Sequence, residues 1–506
     1  MPSINNQRIA KNALFLYARM LIVMVVSLFT VRVVLDALGA EDYGINNVVG
    51  GVVSMFAFLT STMTSASQRF FAYSLGQKDY KKLSEYFSVS FWCYVFLIII
   101  IVIFAETAGL WFVINKLTIP SDRTIAAMWV YQFAILSFVL SIISVPFNSI
   151  IIAREKMNIY AYIGLCEAFI KLLVAFLIYI SPIDKLICYS ALSLLAHAVV
   201  NGFYIFYGIK KFDECKVKWY WDRNQFGEVV GYSGWSLFGA IAGICRSHGI
   251  NILLNVFFNP VVNAARAIAY QVNSAINQFV LNFYKAVQPQ IVKTYAAKEQ
   301  ENLISLVYRS SRFCFYLIML LSIPVLLETP FILSLWLKDV PEMAVLFTRL
   351  VILTAIVDST QYPLQTAISA TGKIKNFQIV TGGLLILNLP VAYIFLRCGY
   401  PPQVTMYIAI VISIIAQITR IFFASHYSKI PIIGYIRFVI TKIVSVSLIA
   451  IIMPLIVYHS LEEGFTRFLL LTFISFIWFT IVVWCIGITR QERNSIVKMI
   501  KQKIHG

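Results

Sequence analysis

Four arginines lie inside segments of the chain that are otherwise strongly apolar: Arg19, Arg246, Arg266 and Arg349. A charged side chain at the centre of a membrane helix costs about 2.5 to 3.5 kcal/mol on insertion scales, so such a residue usually faces a cavity or a partner. A guanidinium also presents a fork of N–H donors that matches phosphate oxygens. The sequence therefore predicts that these four residues bind anionic groups of a ligand. For Arg246, a salt bridge to a buried carboxylate is the alternative.

A polar stripe accompanies one of these arginines. Tyr270, Asn273, Asn277 and Tyr284 fall within about 40 degrees of one helical line with Arg266. Amides and phenols offer both donors and acceptors to sugar hydroxyls, so the sequence predicts that Tyr270, Asn273 and Asn277 contribute to a binding site. Hydrogen bonding between helices is the alternative.

Few carboxylates lie inside the apolar segments. Asp358 is the best candidate for binding a coupling proton or cation, although a fixed salt bridge to Arg246 or another cation is at least equally open. Glu167 and Lys171 are four residues apart on one helix, where they either neutralise each other or form a charge switch. The sequence predicts coupling to a proton or sodium gradient and no other cofactor.

The residue pattern does not favour catalysis. The five histidines lack metal-ligand spacing, and neither a phosphate-binding loop nor a nucleophile motif lies in a plausible context. We therefore predict a transporter rather than an enzyme, with no metal site.

The composition predicts a polytopic membrane protein. Of 506 residues, 60% are hydrophobic and 13% charged, and the mean hydropathy is +0.80. Apolar runs of about 20 residues, the length that crosses a bilayer as a helix, can be placed about fourteen times. The predicted spans are 12–37, 44–68, 88–113, 125–150, 158–180, 186–208, 228–256, 261–287, 306–327, 343–369, 376–396, 404–424, 438–459 and 466–488.

The charge distribution predicts the orientation of these spans. Most of the 41 Lys and Arg residues fall in alternate loops, beginning with the N-terminus, and positive charge accumulates in cytoplasmic loops. Both termini are therefore predicted to be cytoplasmic. The net charge of +18 is then mainly an inner-surface charge that faces anionic membrane lipids, and it does not imply nucleic-acid binding.

The chain contains an internal repeat. Residues 144–156, SVPFNSIIIAREK, reappear in outline 217 positions later as residues 361–373, QYPLQTAISATGK. A second match, at an offset of 220, relates residues 67–83 to residues 287–303. Six predicted spans separate each segment from its partner, so both copies have the same orientation in the membrane. In the first match Ser141, just upstream, corresponds to Asp358.

The repeat defines the predicted organisation as all-α, with two pseudo-symmetric six-helix lobes and two C-terminal helices. The predicted boundaries are an N-lobe over 1–209, a cytoplasmic linker over 210–226, a C-lobe over 227–425, two additional helices over 426–488 and a basic tail over 489–506.

Several motifs resemble those of a known family. The stretch from Asn12 to Ser54, with Arg32 followed by LGAEDYG from Leu38 to Gly44, is similar to the start of bacterial polysaccharide repeat-unit flippases of the Wzx type. The P-x9-K pattern that begins at Pro146 and again at Pro363 is also similar. For Arg32 itself, a cavity position and an interfacial position are both open.

The resemblance implies a fold and a function. The fold is the V-shaped, MATE-like arrangement of two lobes around a cationic cavity, with the last two helices accommodating a lipid tail. The function is transfer of an undecaprenyl-diphosphate-linked oligosaccharide across the bacterial inner membrane, with polysaccharide polymerase and chain-length proteins as partners. A multidrug or cation antiporter of the same fold is the main alternative, and a membrane glycan polymerase or ligase is a weaker one because the external loops are short.

Overall fold

The computed structural model describes residues 2–54, 56–117, 119–181, 183–258, 260–337, 340–490 and 492–494. Every regular element in these residues is helical. The α-helices are α1 (Pro2–Ser54), α2 (Ala57–Gly76), α3 (Tyr80–Phe104), α4 (Leu110–Lys116), α5 (Thr124–Ala153), α6 (Met157–Ile180), α7 (Lys185–Lys211), α8 (Arg223–Phe257), α9 (Pro260–Ala296), α10 (Gln300–Leu327), α11 (Thr329–Trp336), α12 (Ala344–Asp358), α13 (Gln361–Ala370), α14 (Lys375–Arg397), α15 (Val404–Ser428), α16 (Ile432–Tyr435), α17 (Thr441–Ala450), α18 (Ile452–Ser460) and α19 (Phe465–Val482).

Eleven segments in the described part of the chain are long and apolar enough to cross a membrane. Three further predicted spans, 12–37, 228–256 and 261–287, lie in the long helices α1, α8 and α9. The span 261–287 carries Arg266 and several amide side chains, which lower its apolarity. The prediction of an all-α polytopic membrane protein is confirmed, and a total of fourteen spans is compatible with these helices.

Glycine and proline set three helix breaks. Gly39 has φ 80° and ψ 168° within α1, a conformation that residues with a Cβ rarely adopt, and it separates the first two predicted spans. Pro363 has no N–H to donate to the carbonyl of Ser359, and α12 ends at Asp358 before α13 begins. Pro454 stands in the same relation to Ala450, the last residue of α17. The predicted span 343–369 corresponds to one candidate span, Ala344–Ala370, in which a two-residue turn separates α12 from α13.

The helix ends reproduce the internal repeat. At an offset of 220, the loop from α2 to α3 matches the loop from α9 to α10, and Lys78 and Lys298 have φ values of 58° and 59°. At an offset of 217, Glu155 and Gly372 follow the ends of α5 and α13 with φ values of 60° and 79°. Residues with positive φ are uncommon, so their recurrence at matched positions supports two copies of one scaffold.

The chain divides into two compact units. The first, which we call the N-unit, comprises Lys11–Leu237. Within it α5 packs along α2 and α7, and Phe87 contacts the rings of Phe71 and Phe147. A second core surrounds the fully buried Tyr131 of α5. These contacts hold α5, α6 and α7 side by side, which positions the polar faces described below.

The second unit, the C-unit, comprises Met1–Ala10 and Phe238–Gly506. Helix α9 packs against α10, α12 and α13, and α15 packs against α12, α13 and α14. Its largest core joins α10, α13 and α17 to α19 around the fully buried Tyr435. The two last predicted spans, α16 to α18 and α19, are thus built into this core. The domain boundaries proposed from the sequence remain a prediction.

Candidate functional site

The N-unit contains a cavity of about 650 Å³ with a polar lining. Its ionisable residues are Arg19, Glu167, Lys171 and His197, which come from α1, α6 and α7. Hydroxyl and amide groups from the three helices α1, α5 and α7 complete the polar surface: Ser27, Thr30, Asn46, Ser137, Ser141, Tyr189, Ser190 and Ser193. Such a surface suits a ligand that carries both negative charge and hydroxyl groups.

Arg19 is held in this cavity by two residues of α6. Its guanidinium carbon lies 4.6 Å from the centroid of the Tyr160 ring, a cation–π distance. A Cβ built on Gly164 would overlap the guanidinium, so alanine at this position would force the guanidinium to move. The Nε atom is buried and has no hydrogen-bond partner among the described residues. The structure thus places Arg19 at the cavity, as the sequence analysis predicts.

Glu167 and Lys171 form an ion pair across one turn of α6, with Nζ 2.6 Å from Oε1. The sequence analysis left open mutual neutralisation or a charge switch, and the geometry of this structure is that of neutralisation. With this pair neutral, Arg19 supplies one uncompensated positive charge to the cavity. His197, which the sequence analysis did not assign to a site, also lines it.

In the C-unit, Arg246 of α8 contacts α12 and α15. Its Nη2 donates to Oγ of Ser413 at 3.0 Å, and its Nη1 lies 3.7 Å from Oδ2 of Asp358. Ser413 in turn donates to the same carboxylate at 3.4 Å. The salt bridge that the sequence analysis offered as the alternative for both charged residues is therefore present. It is longer than a charge-assisted hydrogen bond, about 2.7 to 2.9 Å.

Arg266 is almost fully buried, and it stacks on the aromatic ring one turn later. Its guanidinium carbon lies 4.3 Å from the ring centroid of Tyr270, and its Nη1 donates to Asn251 of α8. Asn277 donates to Asn273 at 2.8 Å within α9. The predicted stripe is thus present, but each of these members has a contact within the C-unit.

Two other members of the sequence-based set have structural contacts. The hydroxyl of Tyr284 lies 2.7 Å from that of Thr366 on α13, which is the interhelical bond offered as the alternative. Nε of Arg349 donates to the carbonyl of Leu326 at 3.0 Å. That carbonyl lies in the last turn of α10, where no intrahelical donor is available, so Arg349 caps α10. The side chain of Arg32 lies outside the described residues.

Sequence analysis did not name Arg420 as a site residue, although it lies within the predicted span 404–424. The structure extends α15 to Ser428 and leaves Arg420 only 5% exposed. Arg420 interacts electrostatically with Asp358 and Arg246. The signal that could have found it is the spacing of Ser413, Gln417 and Arg420, which places three polar residues on one face of an apolar helix.

We call the following residues the C-unit arginine cluster: Arg246, Arg266, Asp358, Ser413, Gln417 and Arg420. Arg266 also interacts electrostatically with Arg246, which links the arginines in one network. Neither α9 nor α13 to α15 contains an Asp or Glu, and Asp358 is the only carboxylate in α12. The cluster therefore carries three positive charges against one carboxylate.

Comparisons with known proteins place the fold. No protein-family model and no curated protein matches the chain. Among solved structures, it is similar to MATE in the bent conformation, with a TM-score of 0.72 and 12% identity over 84% of this chain and 96% of that one. It is also similar to an outward-facing multidrug resistance MATE family transporter of the MOP superfamily, with a TM-score of 0.67 and 13% identity over 85% of this chain and 95% of that one.

A third similar structure is a MOP superfamily transporter from Pyrococcus furiosus, with a TM-score of 0.65 and 13% identity over 84% of this chain and 96% of that one. The fold is therefore MATE-like: a multi-pass, all-helical membrane protein whose structural neighbours are transporters. At these identities the likeness concerns the fold, and the cargo must be argued from the side chains.

Proposed function

We propose that this protein is a flippase for a polyprenyl-diphosphate-linked oligosaccharide. It moves the repeat unit of an O-antigen, capsule or exopolysaccharide from the cytoplasmic to the periplasmic leaflet by alternating access. The observation that carries the proposal is the excess of cations over carboxylates in the polar interior of both units. A diphosphate is the part of such a substrate that requires these cations.

In each unit, the polar residues of the site include more cations than carboxylates. In the N-unit cavity, Arg19 and Lys171 face the single carboxylate of Glu167. In the C-unit arginine cluster, three guanidinium groups accompany one carboxylate. A buried cation without a counter-ion is costly unless a ligand supplies the negative charge, so the balance favours an anionic cargo.

The polar lining of the N-unit cavity supports the sugar part of the proposal. Its serine, threonine and asparagine side chains supply donors and acceptors without fixed charge, which suits carbohydrate hydroxyls. A volume of about 650 Å³ lies within the usual range for small-molecule sites, about 300 to 1,000 Å³. The N-terminal motifs resemble those of flippases for lipid-linked oligosaccharides, which supports the same class of substrate.

The proposal includes a location and partners. The resemblance and the distribution of basic residues support a location in the bacterial inner membrane with both termini cytoplasmic. Undecaprenyl-diphosphate oligosaccharide is the cargo, and membrane lipids, a polysaccharide polymerase and chain-length proteins are the neighbours. A proton or sodium gradient is the proposed energy source, with Asp358 as the first candidate for coupling.

A multidrug or cation antiporter is the second candidate, because one structural neighbour is a multidrug resistance transporter. An organic cation would need free carboxylates, whereas Asp358 and Glu167 are each paired with a cation. For the neighbour from Pyrococcus furiosus, reverse polarity of the binding pocket has been taken to suggest a different function. The polarity of the interior is therefore the relevant criterion, and here it favours an anion.

Deletion of the gene in its host tests the proposal. We expect undecaprenyl-diphosphate oligosaccharide to accumulate in the inner membrane and the surface glycan to disappear, and a plasmid copy should reverse both effects. Sensitivity to cationic drugs should not change. Normal surface glycan without a trapped intermediate would contradict the proposal, and increased drug sensitivity in that strain would support the antiporter.

A further inference from the structure

Two side chains of α15 have buried polar atoms with no partner among the described residues. They are Nε and Nη1 of Arg420 and both amide atoms of Gln417, and the two residues are 5% and 7% exposed. An unsatisfied buried polar group costs about 1 to 3 kcal/mol, and more when it is charged. Such a cost at two neighbouring residues indicates a missing ligand group rather than a packing role.

The side chains of Gln417 and Arg420 lie on the same face of α15 as Ser413, which contacts the charged residues of α8 and α12. Ser413, Gln417 and Arg420 lie within about 60 degrees of each other around α15. Arg246 of α8 donates a hydrogen bond to Ser413. Ser413 donates to the carboxylate of Asp358 of α12, and this bond is 3.4 Å long. Arg420 interacts with both charged partners. Side chains from three helices therefore converge on one polar location within the C-unit.

There is room beside Arg246 for a ligand group. A Cβ built on Gly243, one turn before Arg246, would meet no atom within 4 Å. At Gly239 the corresponding space is filled by the amide of Gln378. The turn between α12 and α13 begins at Asp358, so this carboxylate lies at the end of a helix.

We infer that Arg246, Gln417 and Arg420 form an oxyanion subsite for a phosphate group, in which Asp358 is the resident counter-ion that the phosphate displaces from Arg246. The inference rests on the proposed function for the identity of the natural ligand, a diphosphate. Two guanidinium groups and an amide offer the planar donor sets that phosphate oxygens prefer. The loose contact of 3.7 Å between Arg246 and Asp358 leaves that guanidinium able to change partners.

This arrangement predicts mutational effects of opposite sign. Removal of the Arg420 charge takes donors away from the phosphate and should weaken its binding. Removal of the Asp358 charge takes away a competing anion and should strengthen binding. A role limited to packing would not produce an increase in affinity with Asp358→Asn and a decrease with Arg420→Gln.

The test is calorimetric titration of inorganic pyrophosphate into the purified full-length protein in detergent. We expect Arg420→Gln to weaken binding by at least about tenfold, since one charge-assisted contact is lost. We expect Asp358→Asn to tighten it by about fivefold to tenfold, since a nearby like charge is removed. Arg437→Gln, the same change at an exposed arginine of the C-unit, is the matched control and should leave the affinity unchanged.

The outcomes separate this inference from the proposed function. Equal pyrophosphate affinity in all variants, or no binding to the wild-type protein at millimolar concentration, overturns the subsite. Opposite shifts in the two variants without any flipping of the lipid-linked oligosaccharide would keep the subsite and reject the proposed function. If Arg420→Gln does not yield folded protein, Arg420→Lys keeps the charge without the fork and should weaken binding by a smaller factor.

Discussion

At the scale of single residues, a glycine sets where the Arg19 guanidinium lies in the N-unit cavity. Arg19 lies against Gly164 and over Tyr160, and both of these residues belong to α6. Sequence analysis could identify Arg19, because a charge in an apolar helix is conspicuous. It could not identify Gly164, because the requirement for glycine arises only when α1 and α6 are packed together.

Gly164→Ala should therefore displace the Arg19 guanidinium and reduce flipping on the order of tenfold, the effect of one lost charge-assisted contact. Helix α6 should not be destabilised, since alanine has a helix propensity about 1 kcal/mol more favourable than that of glycine. Gly202→Ala in α7 is the matched control, because its Cβ would meet no atom within 4 Å. Flipping rates of both variants in proteoliposomes provide the measurement, and equal rates would contradict the role of Gly164.

A second prediction at the residue scale concerns the buried ion pair of Glu328 and Arg467. Nε of Arg467 lies 2.6 Å from Oε1 of a carboxylate that is fully buried, and Nη2 bonds the other oxygen at 3.0 Å. Glu328→Gln leaves the arginine without its counter-charge and should cost about 3 to 5 kcal/mol. Thermal unfolding in detergent measures the change, with the exposed Glu462→Gln as the control. Unfolding temperatures that coincide for the two variants would show that the pair is dispensable.

At the scale of elements, Arg123 joins two helices of the N-unit. It forms ion pairs with Asp42 of α1 and, at 2.5 Å, with Asp184, which also caps α7 through the N–H groups of Leu186 and Ile187. Burial raises the pKa of the Asp184 carboxyl, but the Ile187 amide and the Arg123 guanidinium outweigh burial and hold that pKa below its ordinary value. The ionised form of Asp184 therefore stabilises the folded N-unit.

The sign of the resulting pH dependence follows from this lowered pKa. The stabilisation is complete above the unfolded pKa of about 3.9 and is lost as the pH falls through the folded value. Asp184→Asn keeps the cap but not the charge, so it should lower stability at pH 7 by at most about 1 kcal/mol, since solvent screens the pair. Unfolding temperatures of both proteins at pH 7 and pH 3 should converge at the lower pH. A constant difference would assign the effect to the cap alone.

The elements also show how far the sequence could predict the fold. Hydropathy and the repeat predicted the helices and the matched ends of α2 and α9, because both depend on local pattern. Hydropathy could not predict the two-residue turn between α12 and α13, since it averages polarity over many residues, and proline alone does not mark such a turn because the matched Pro146 lies inside the continuous helix α5. Hydropathy also could not single out Arg420 inside the predicted span 404–424, because an average over the span does not show which face of α15 packs inward. Both features belong to the part of the C-unit where we infer the oxyanion subsite.

At the scale of the whole molecule, one scaffold occurs twice with different charges. Ser141 in the first copy donates to the carbonyl of Ser137 at 3.0 Å, whereas Asp358 at the matched position lies beside Arg246. The MATE-like fold is shared with transporters at only 12% to 13% identity, and a fold by itself does not specify the cargo. The charges inside each unit are the feature from which we infer an anionic cargo.

Reconstitution of the purified protein into liposomes tests that central claim most directly. The measurement is transfer between leaflets of a fluorescent polyprenyl-diphosphate oligosaccharide, with uptake of an organic cation followed in the same vesicles. We expect protein-dependent transfer of the anionic lipid and no uptake of the cation. Uptake of the cation without transfer of the lipid would contradict the account and identify the protein as a cation transporter.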